Sequence, residues 1–422
     1  MDQINSLKFT STTNRKAIPV LDQSQSVYIL CELIPTSSIS NIRLPINFCL
    51  VLDRSGSMAG EKLHILKDSV KSIIDQLGDQ DILSIVTFES RTEILVEAQG
   101  VANKKSLMQS VDRIREGGGT NFAPALRSAL QMVEKNLSQN ALNRIILLTD
   151  GEATDRQQDS LQLADEAGAR GIPIVALGFG QDWNEEFLFE IADRSIQAHP
   201  GSQIGMADYI PSPAEANKIF QEVYTSMQVV AQNVKITIRV VQGVEARRAW
   251  QVIPIIRDLG SSVIDGRSIQ IPVTELERGG AAFLLEVMIP PRPEGSVRIA
   301  QSEVNYKLPE SGSQRQSVDT IVQFTNEPTL TKESNNHVMN VVEKVQAFKL
   351  QTQALADAQT GLIDSATRKL RQAVTILLAQ GEEDLANQMS READQLEHSG
   401  QVSNDGKKTI LLTSRKTVRL SE

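Results

Sequence analysis

Three short polar clusters in this sequence carry residue types that bind a hard metal ion. The first holds Asp53, Ser55 and Ser57, the second Thr120, and the third Asp150. Two carboxylates and three hydroxyls offer only oxygen ligands, which suit Mg²⁺, with Mn²⁺ or Ca²⁺ as alternatives. Because neither cysteine nor histidine lies in these clusters, zinc is disfavoured. The set predicts a divalent-cation site.

Each cluster lies where an element of a parallel sheet would present it. The apolar run Ile46–Leu52 precedes the first cluster, and the run Arg144–Thr149 precedes the third. The second cluster opens a helix that begins near Ala123. In an open parallel sheet, ligands bind outside the carboxyl ends of the strands. The three clusters are therefore expected to converge at one edge, although they are far apart in sequence.

Residues 45–229 alternate apolar strands with amphipathic helices, which predicts an α/β fold with a doubly wound, mostly parallel, Rossmann-like sheet. The predicted strands are 46–52, 82–88, 144–149 and 172–178. The predicted helices are 61–77, 103–115, 123–136, 184–194 and 213–228.

The flanking segments show the alternation of β-strands. Short strand-like runs occupy residues 1–44, and strictly alternating runs return over residues 230–330. Residues 1–44 are too few to bury a core of their own. We therefore expect both segments to form one antiparallel β-sandwich, into which the α/β domain is inserted.

The C-terminal part is predicted to be helical. Apolar stripes at helical spacing run through residues 331–400, and Gly361 and Gly381 mark breaks between helices. A small helical bundle is expected there, with a helical-repeat binding surface as the alternative. Residues 401–422 are basic and β-prone, which predicts a strand docked on the body or added to the sheet edge of a partner.

The polar clusters and their flanks resemble the metal-ion-dependent adhesion site of von Willebrand factor A domains. The matching stretches are Leu50–Met58 (LVLDRSGSM), Gly118–Asn121 (GGTN) and Leu148–Gly151 (LTDG). The resemblance covers roughly residues 45–229 and fills all five positions of the motif. The chain is thus similar to intracellular, bacterial-type A-domain proteins, which often serve signalling or chaperone-like complexes.

The resemblance implies a role for each motif residue. Ser55, Ser57 and Thr120 would bind the ion directly, whereas Asp53 and Asp150 would act mostly through water. An Asp or Glu of a partner protein would complete the coordination. With few direct carboxylates the ion stays electrophilic and gains most from recruiting an external acid.

Four neighbouring residues are candidates for contact with a partner. Arg54 lies beside the predicted ion and is a candidate for steering an incoming carboxylate, with an ordinary surface arginine as the alternative. Asn121, Glu152 and Asp155 extend the second and third clusters, and solvated loop positions are the alternative for Glu152 and Asp155.

Helix capping, phosphate binding and acid–base catalysis fit these residues less well than metal binding. Asp53 and Ser55 could cap the helix that starts near Glu61, and Thr120 could cap the next one. The stretch Gly56–Lys62 departs from a phosphate-binding loop, because Lys62 does not directly follow the glycine and no Ser or Thr comes after it. The four histidines are scattered, so no general base is evident.

Composition limits the classes of function. A net charge of -9 and an aromatic content of 4% argue against a nucleic-acid binder. No run approaches the roughly 18 apolar residues of a membrane span. The first residues lack the pattern of a signal peptide, so a cytoplasmic protein is expected. The two cysteines lie in apolar runs and are expected to be buried thiols.

These observations favour a binding protein and not an enzyme. The first hypothesis is a scaffold or adaptor that captures an acidic side chain of a partner at a Mg²⁺ site. The second is an accessory subunit of a remodelling or metal-insertion complex driven by an AAA+ ATPase. The third is a structural protein that assembles with copies of itself into rings or filaments.

Overall fold

The structure is a computed structural model that describes residues 6–36, 44–138, 140–151, 153, 155–180, 183–196, 207–210, 213–226, 228–309 and 312–411. The chain forms two compact units. Residues 42–232 with 273–278 make one, here called the α/β unit. Residues 1–41, 233–272 and 279–422 make the other, here called the β/helical unit.

The strands and helices follow one another along the chain in groups. The strands are β1 (Leu7–Thr13), β2 (Ala17–Pro19), β3 (Gln25–Pro35), β4 (Ile46–Asp53), β5 (Ile82–Phe88), β6 (Thr92–Gly100), β7 (Leu142–Thr149), β8 (Ile174–Phe179), β9 (Ala207–Ile210), β10 (Val229–Val240), β11 (Glu245–Ile253), β12 (Arg257–Gly260), β13 (Ile264–Asp265), β14 (Ser268–Glu277), β15 (Ala281–Ile289), β16 (Gly295–Leu308) and β17 (Gly312–Thr325). The helices are α1 (Glu61–Gln76), α2 (Lys104–Asp112), α3 (Phe122–Glu134), α4 (Gln157–Ala169), α5 (Glu185–Arg194), α6 (Pro213–Ser226), α7 (Pro328–Lys332), α8 (Asn336–Gln359), α9 (Ile363–Ala379), α10 (Glu383–Ser399) and α11 (Asn404–Leu411).

The α/β unit is built on a six-stranded sheet with the order β6-β5-β4-β7-β8-β9. Strand β4 lies at its centre and pairs in parallel with β5 and β7. Every residue of β4, β7 and β8 is buried, which explains why these strands read as continuous apolar runs. The four predicted strands and five predicted helices of this region are all present, with small shifts at their ends.

This unit also contains two strands and one α-helix that were not predicted from the sequence. Strand β6 forms an antiparallel edge on β5, and its register shifts at two places, so its sequence shows no clean alternation. Helix α4 has a weakly segregated apolar face, and β9 is only four residues long. Weak or short periodicity of this kind gives little signal before the neighbouring elements are known.

The β/helical unit contains strands from both sides of the α/β segment. Strand β3 pairs with β1 and β15 in a sheet of order β1-β3-β15-β11-β12. Strand β2 pairs with β17 in a second sheet of order β13-β14-β10-β16-β17-β2. Side chains connect the two sheets, since Cys31 Sγ lies 3.4 Å from Ser302 Oγ, and Ser11 Oγ lies 2.6 Å from Thr320 Oγ1.

A C-terminal helical domain follows the second sheet. Helices α8, α9 and α10 are separated at Gly361 and Gly381, where φ is +79° and +76°, as the sequence predicted. Helix α8 packs on the first sheet, and Lys349 Nζ lies 5.4 Å from the centre of the Trp250 ring. Within the described ranges, no helix is both long and apolar enough to cross a lipid bilayer.

The prediction of a β-strand in the tail is wrong for the part that the structure describes. Residues 404–411 form helix α11, whereas 412–422 lie outside the described residues. Ser403 Oγ donates to Glu392 and accepts from the amide of Gly406, which fixes the first turn of a helix. Ile410 is buried in the core of the helical domain, so tertiary packing outweighs the β-propensity of the sequence.

Candidate metal centre

The three polar clusters meet at the carboxyl edge of the sheet in the α/β unit. Asp53 is the last residue of β4, and Asp150 directly follows its neighbour β7. Backbone hydrogen bonds join the first loop to the second, because Gly117 N donates to Arg54 O at 2.7 Å and Gly56 N to Gly118 O at 3.1 Å. The convergence expected from the sequence thus has a direct cause in the pairing of neighbouring parallel strands.

Asp53 organises the first loop and ties it to β7. One carboxylate oxygen, Oδ1, accepts from Ser55 N at 2.7 Å, and Oδ2 accepts from Thr149 Oγ1 at 2.6 Å. The side chain is fully buried. Both oxygens are already hydrogen-bonded to the protein, so this carboxylate is suited to shaping the loop and to accepting a bridging water.

The hydroxyl groups form a short row that ends on Asp150. Ser55 Oγ lies 3.0 Å from Ser57 Oγ, which donates to Asp150 Oδ1 at 2.7 Å. A methyl group added to Gly151 would lie 3.5 Å from Thr120 Oγ1 and 3.8 Å from Ser57 Oγ. Oxygen atoms from all three loops therefore come close together on one side of the third loop.

These side chains suit a hard divalent cation. Among the described residues, no group of three or more Asp, Glu, His or Cys side chains is arranged to hold a metal ion. The donors are instead two buried carboxylates and a row of small hydroxyls, all of them oxygen. Such donors fit Mg²⁺, which readily keeps part of its water shell.

The capping alternative for these residues is wrong. Helix α1 begins after Gly60, and helix α3 begins after Asn121, and neither N-cap side chain makes a capping hydrogen bond. Asp53 and Ser55 contact their own loop and β7 instead. The amide of Ala123, in the first turn of α3, is satisfied by Asp155.

Comparison with known proteins identifies the α/β unit. Residues 47–201 match the family model described as the von Willebrand factor type A domain. The chain contains a von Willebrand factor A domain. Domains of this family generally mediate metal-dependent protein interactions. The C-terminal helices belong to a second matched region, since residues 336–420 match the Sll0103-like, C-terminal alpha-helical domain.

Individual proteins resemble the chain to different extents. The uncharacterized protein sll0103 of Synechocystis sp. is 35% identical over 186 residues, which is 44% of this chain and 42% of that protein. A von Willebrand factor type A structure from Catenulispora acidiphila is 19% identical, covers 99% of both chains and has a TM-score of 0.71. The ArnB paralog VWA2 from Sulfolobus acidocaldarius is 17% identical, covers 97% of this chain and 98% of that one, and has a TM-score of 0.53. The two structures show a shared fold.

A lysine that was not among the predicted site residues contacts the candidate metal centre. Lys62, in the first turn of α1, places Nζ 2.5 Å from Asp150 Oδ2. Its position shortly after the first loop was visible in the sequence, but chain order alone does not show which side chain its ammonium group meets. Only the folded chain brings Lys62 to the third loop.

Three of the four candidate partner-contact residues make contacts inside the A domain. Arg54 Nη2 lies 3.4 Å from Glu93 and 3.9 Å from Glu89. Asn121 donates from Nδ2 to Ser90 O at 3.1 Å. Asp155 accepts from α3 through Oδ2, while its buried Oδ1 has no hydrogen-bond partner within the described ranges.

The fourth candidate, Glu152, lies outside the described residues. Its predicted contact with a partner therefore stays a prediction.

The acidity of Asp53 gives a pH dependence that can be measured on the metal-free protein. The pKa of Asp53 is raised to about 6, chiefly by burial and in smaller part by the nearby Asp150, while hydrogen bonds from Thr149 and Ser55 lower it. Because the pKa in the folded state exceeds that of the unfolded chain, folding favours the protonated form. The free energy of unfolding should thus fall by about 3 kcal/mol as pH rises from about 4 to about 6.

This dependence can be read from hydrogen exchange of the β4 amides in EDTA at pH 4.5 and pH 7. The Asp53→Asn variant has no carboxylate to titrate, so its stability should change less over this range than that of the wild type. Equal pH dependence in the two proteins would show that Asp53 does not titrate as the structure implies.

Proposed function

We propose that the chain is a scaffold or adaptor whose A domain captures an acidic side chain of a partner protein at a Mg²⁺ site. The observation that carries this proposal is the row of oxygen atoms at the carboxyl edge of the sheet. Ser55 Oγ, Ser57 Oγ and Asp150 Oδ1 follow one another at 3.0 and 2.7 Å. The role is binding and involves no catalytic step.

The residues of the three loops would divide the work of holding the ion. Ser55, Ser57 and Thr120 would offer hydroxyl oxygens, while Asp53 and Asp150 would balance charge and hold water. The bound ion would supply a Lewis-acidic position that accepts a carboxylate oxygen. The hydrogen bonds to Asp53 keep the first loop in shape for this contact, because they restrain both of its oxygens.

The surface around the ion would complete recognition. We propose that Arg54, Asn121, Glu152 and Asp155 border the region on which the partner rests. The side chain of Arg54 is 19% exposed and already paired with acidic residues, which supports a role at the rim over one in direct contact with the captured carboxylate.

The architecture and the location belong to the same proposal. Strands from both sides of the A domain share two sheets, which supports its insertion into a β-sandwich. Cys31 and Cys49 are free and buried, which agrees with the reducing conditions of the cytoplasm.

Removing one hydroxyl of the row tests the proposed function. The Ser57→Ala variant should bind Mg²⁺ about 10- to 100-fold more weakly than the wild type, because an oxygen beside the ion is lost. Isothermal titration calorimetry with MgCl₂ measures this affinity. Proteins captured by the immobilised wild-type chain in Mg²⁺ should be released by EDTA and should not be retained by the variant.

The matched control is Ser128→Ala in helix α3, whose exposed hydroxyl donates to Pro124 O away from the loops. It should bind Mg²⁺ and partners as the wild type does. Absence of Mg²⁺ binding by the wild type at millimolar concentration would overturn the proposal. Size-exclusion chromatography with Mg²⁺ and with EDTA then separates capture of another protein from assembly with further copies of this chain.

A further inference from the structure

We propose that Lys62 is a tethered cation of the metal centre that limits its affinity for the divalent ion and favours an anionic ligand over a neutral one. This inference rests on the proposed function and concerns the charge of the same site. It assigns a role to a residue that lies outside the five-residue motif.

The contacts of Asp150 show how Lys62 enters the centre. One carboxylate oxygen accepts from Ser57 Oγ at 2.7 Å, and the other lies 2.5 Å from Lys62 Nζ. Asp150 is fully buried, whereas the side chain of Lys62 is 28% exposed. The lysine therefore reaches inward from the surface and places its charge on a carboxylate of the centre.

The path of the backbone holds the ammonium group in this position. Lys62 follows Gly60, whose φ of +80° directs the chain from the first loop into α1. A methyl group added to Gly180, just after β8, would lie 3.6 Å from Lys62 Nζ. Trp183 Nε1 donates to Gly180 O at 2.8 Å and so holds Gly180 in place beside the ammonium group.

The charge of the metal centre explains why Lys62 should lower its affinity for Mg²⁺. Asp53 and Asp150 carry two negative charges, and Lys62 offsets one of them. Without the ion the centre then carries one net negative charge instead of two, so it attracts a divalent ion less strongly. With the ion bound it carries one net positive charge, which attracts an incoming carboxylate. Without Lys62 the same ion would bring the centre to neutrality. At an effective dielectric constant near 20, unit charges a few ångströms apart change an equilibrium by about tenfold or more.

Calorimetry with Mg²⁺ on the full chain tests this role in Lys62→Met, which keeps the apolar stem and removes the charge. We expect Mg²⁺ to bind about tenfold more tightly to this variant than to the wild type, and the melting temperature to rise more on addition of Mg²⁺. Unchanged or weaker binding by Lys62→Met would overturn the inference. If Lys62→Met does not fold, Lys62→Gln takes its place.

Lys71→Met is the matched control. Lys71 lies on the same helix, its side chain is also 28% exposed, and its Nζ lies 2.5 Å from Asp112, which is not part of the centre. This variant should bind Mg²⁺ as the wild type does. An equal gain in affinity in both lysine variants would show only a general effect of net charge and would overturn the specific role.

The outcomes separate this inference from the proposed function. Binding of Mg²⁺ by the wild type with no gain in Lys62→Met overturns the role of Lys62 and leaves the metal centre standing. Binding only after removal of Lys62 supports the effect of the lysine on the ion but overturns the proposed function, because the wild-type chain then takes up no Mg²⁺. Absence of binding in every variant overturns the metal centre itself, and the inference with it.

Discussion

Glu275→Ala is expected to lower the free energy of unfolding of the α/β unit by about 3–5 kcal/mol. Glu275 forms an ion pair with Arg144, whose side chain is only 2% exposed. Arg144 Nη1 also donates to Asn143 O at 2.8 Å, while Nε has no hydrogen-bond partner within the described ranges. Loss of the carboxylate would leave a buried guanidinium charge without compensation. Hydrogen exchange of the β7 amides measures the loss.

Glu134→Ala is the matched control for this variant. Glu134 Oε1 lies 2.6 Å from Arg170 Nη1, but the two side chains are 35% and 42% exposed. Exposed ion pairs contribute about 0–1 kcal/mol, so this substitution should have little effect. A double variant, Arg144→Met with Glu275→Leu, should recover most of the lost stability, because no charge then remains buried. Equal effects of the two alanine variants would contradict this account.

Gly178→Ala is expected to destabilise the A domain by about 3 kcal/mol through overpacking. The indole of Trp183 occupies the space beside this glycine, and an added methyl group would overlap its Cε2 atom. The ring is buried and cannot move away freely. Because Trp183 also donates a hydrogen bond to Gly180, its displacement would disturb Gly180, which lies beside Lys62. Hydrogen exchange of the β8 amides and the fluorescence of Trp183 report on the two effects.

Gly100→Ala serves as the comparison, since a methyl group at Gly100 would meet no atom within 4 Å and the backbone there needs no positive φ. Such a substitution should change the free energy of unfolding by less than about 1 kcal/mol. If Gly178→Ala were as stable as Gly100→Ala, the close packing of Trp183 against β8 would be wrong.

The sequence was most informative where one physical pattern dominated. Strands β4, β7 and β8 are buried along their whole length, so their runs of apolar residues were visible without the fold. Helix α1 buries Leu63, Leu66, Val70 and their neighbours at helical spacing, which was equally visible. The sequence was less informative at the edges of the sheet, as in β6, where a register shift breaks the alternation.

The metal centre, too, could be predicted from the sequence only in part. The types and spacing of Asp53, Ser55 and Ser57, together with the parallel sheet, were enough to predict that distant loops meet at its carboxyl edge. Chain order could not show that Lys62 contacts Asp150, because the two residues are 88 positions apart and meet only when β4 and β7 pair.

Periodicity and residue chemistry by themselves determined the fold of the A domain and the oxygen character of its candidate site, because both depend on local burial and on the ligands that an ion prefers. The tertiary structure alone decided three further features. It paired Arg144 with Glu275, placed the charge of Lys62 on Asp150, and turned the β-prone residues 404–411 into helix α11. Each of these depends on which distant surface a side chain meets, and burial energies of several kcal/mol then exceed the local preferences of the chain.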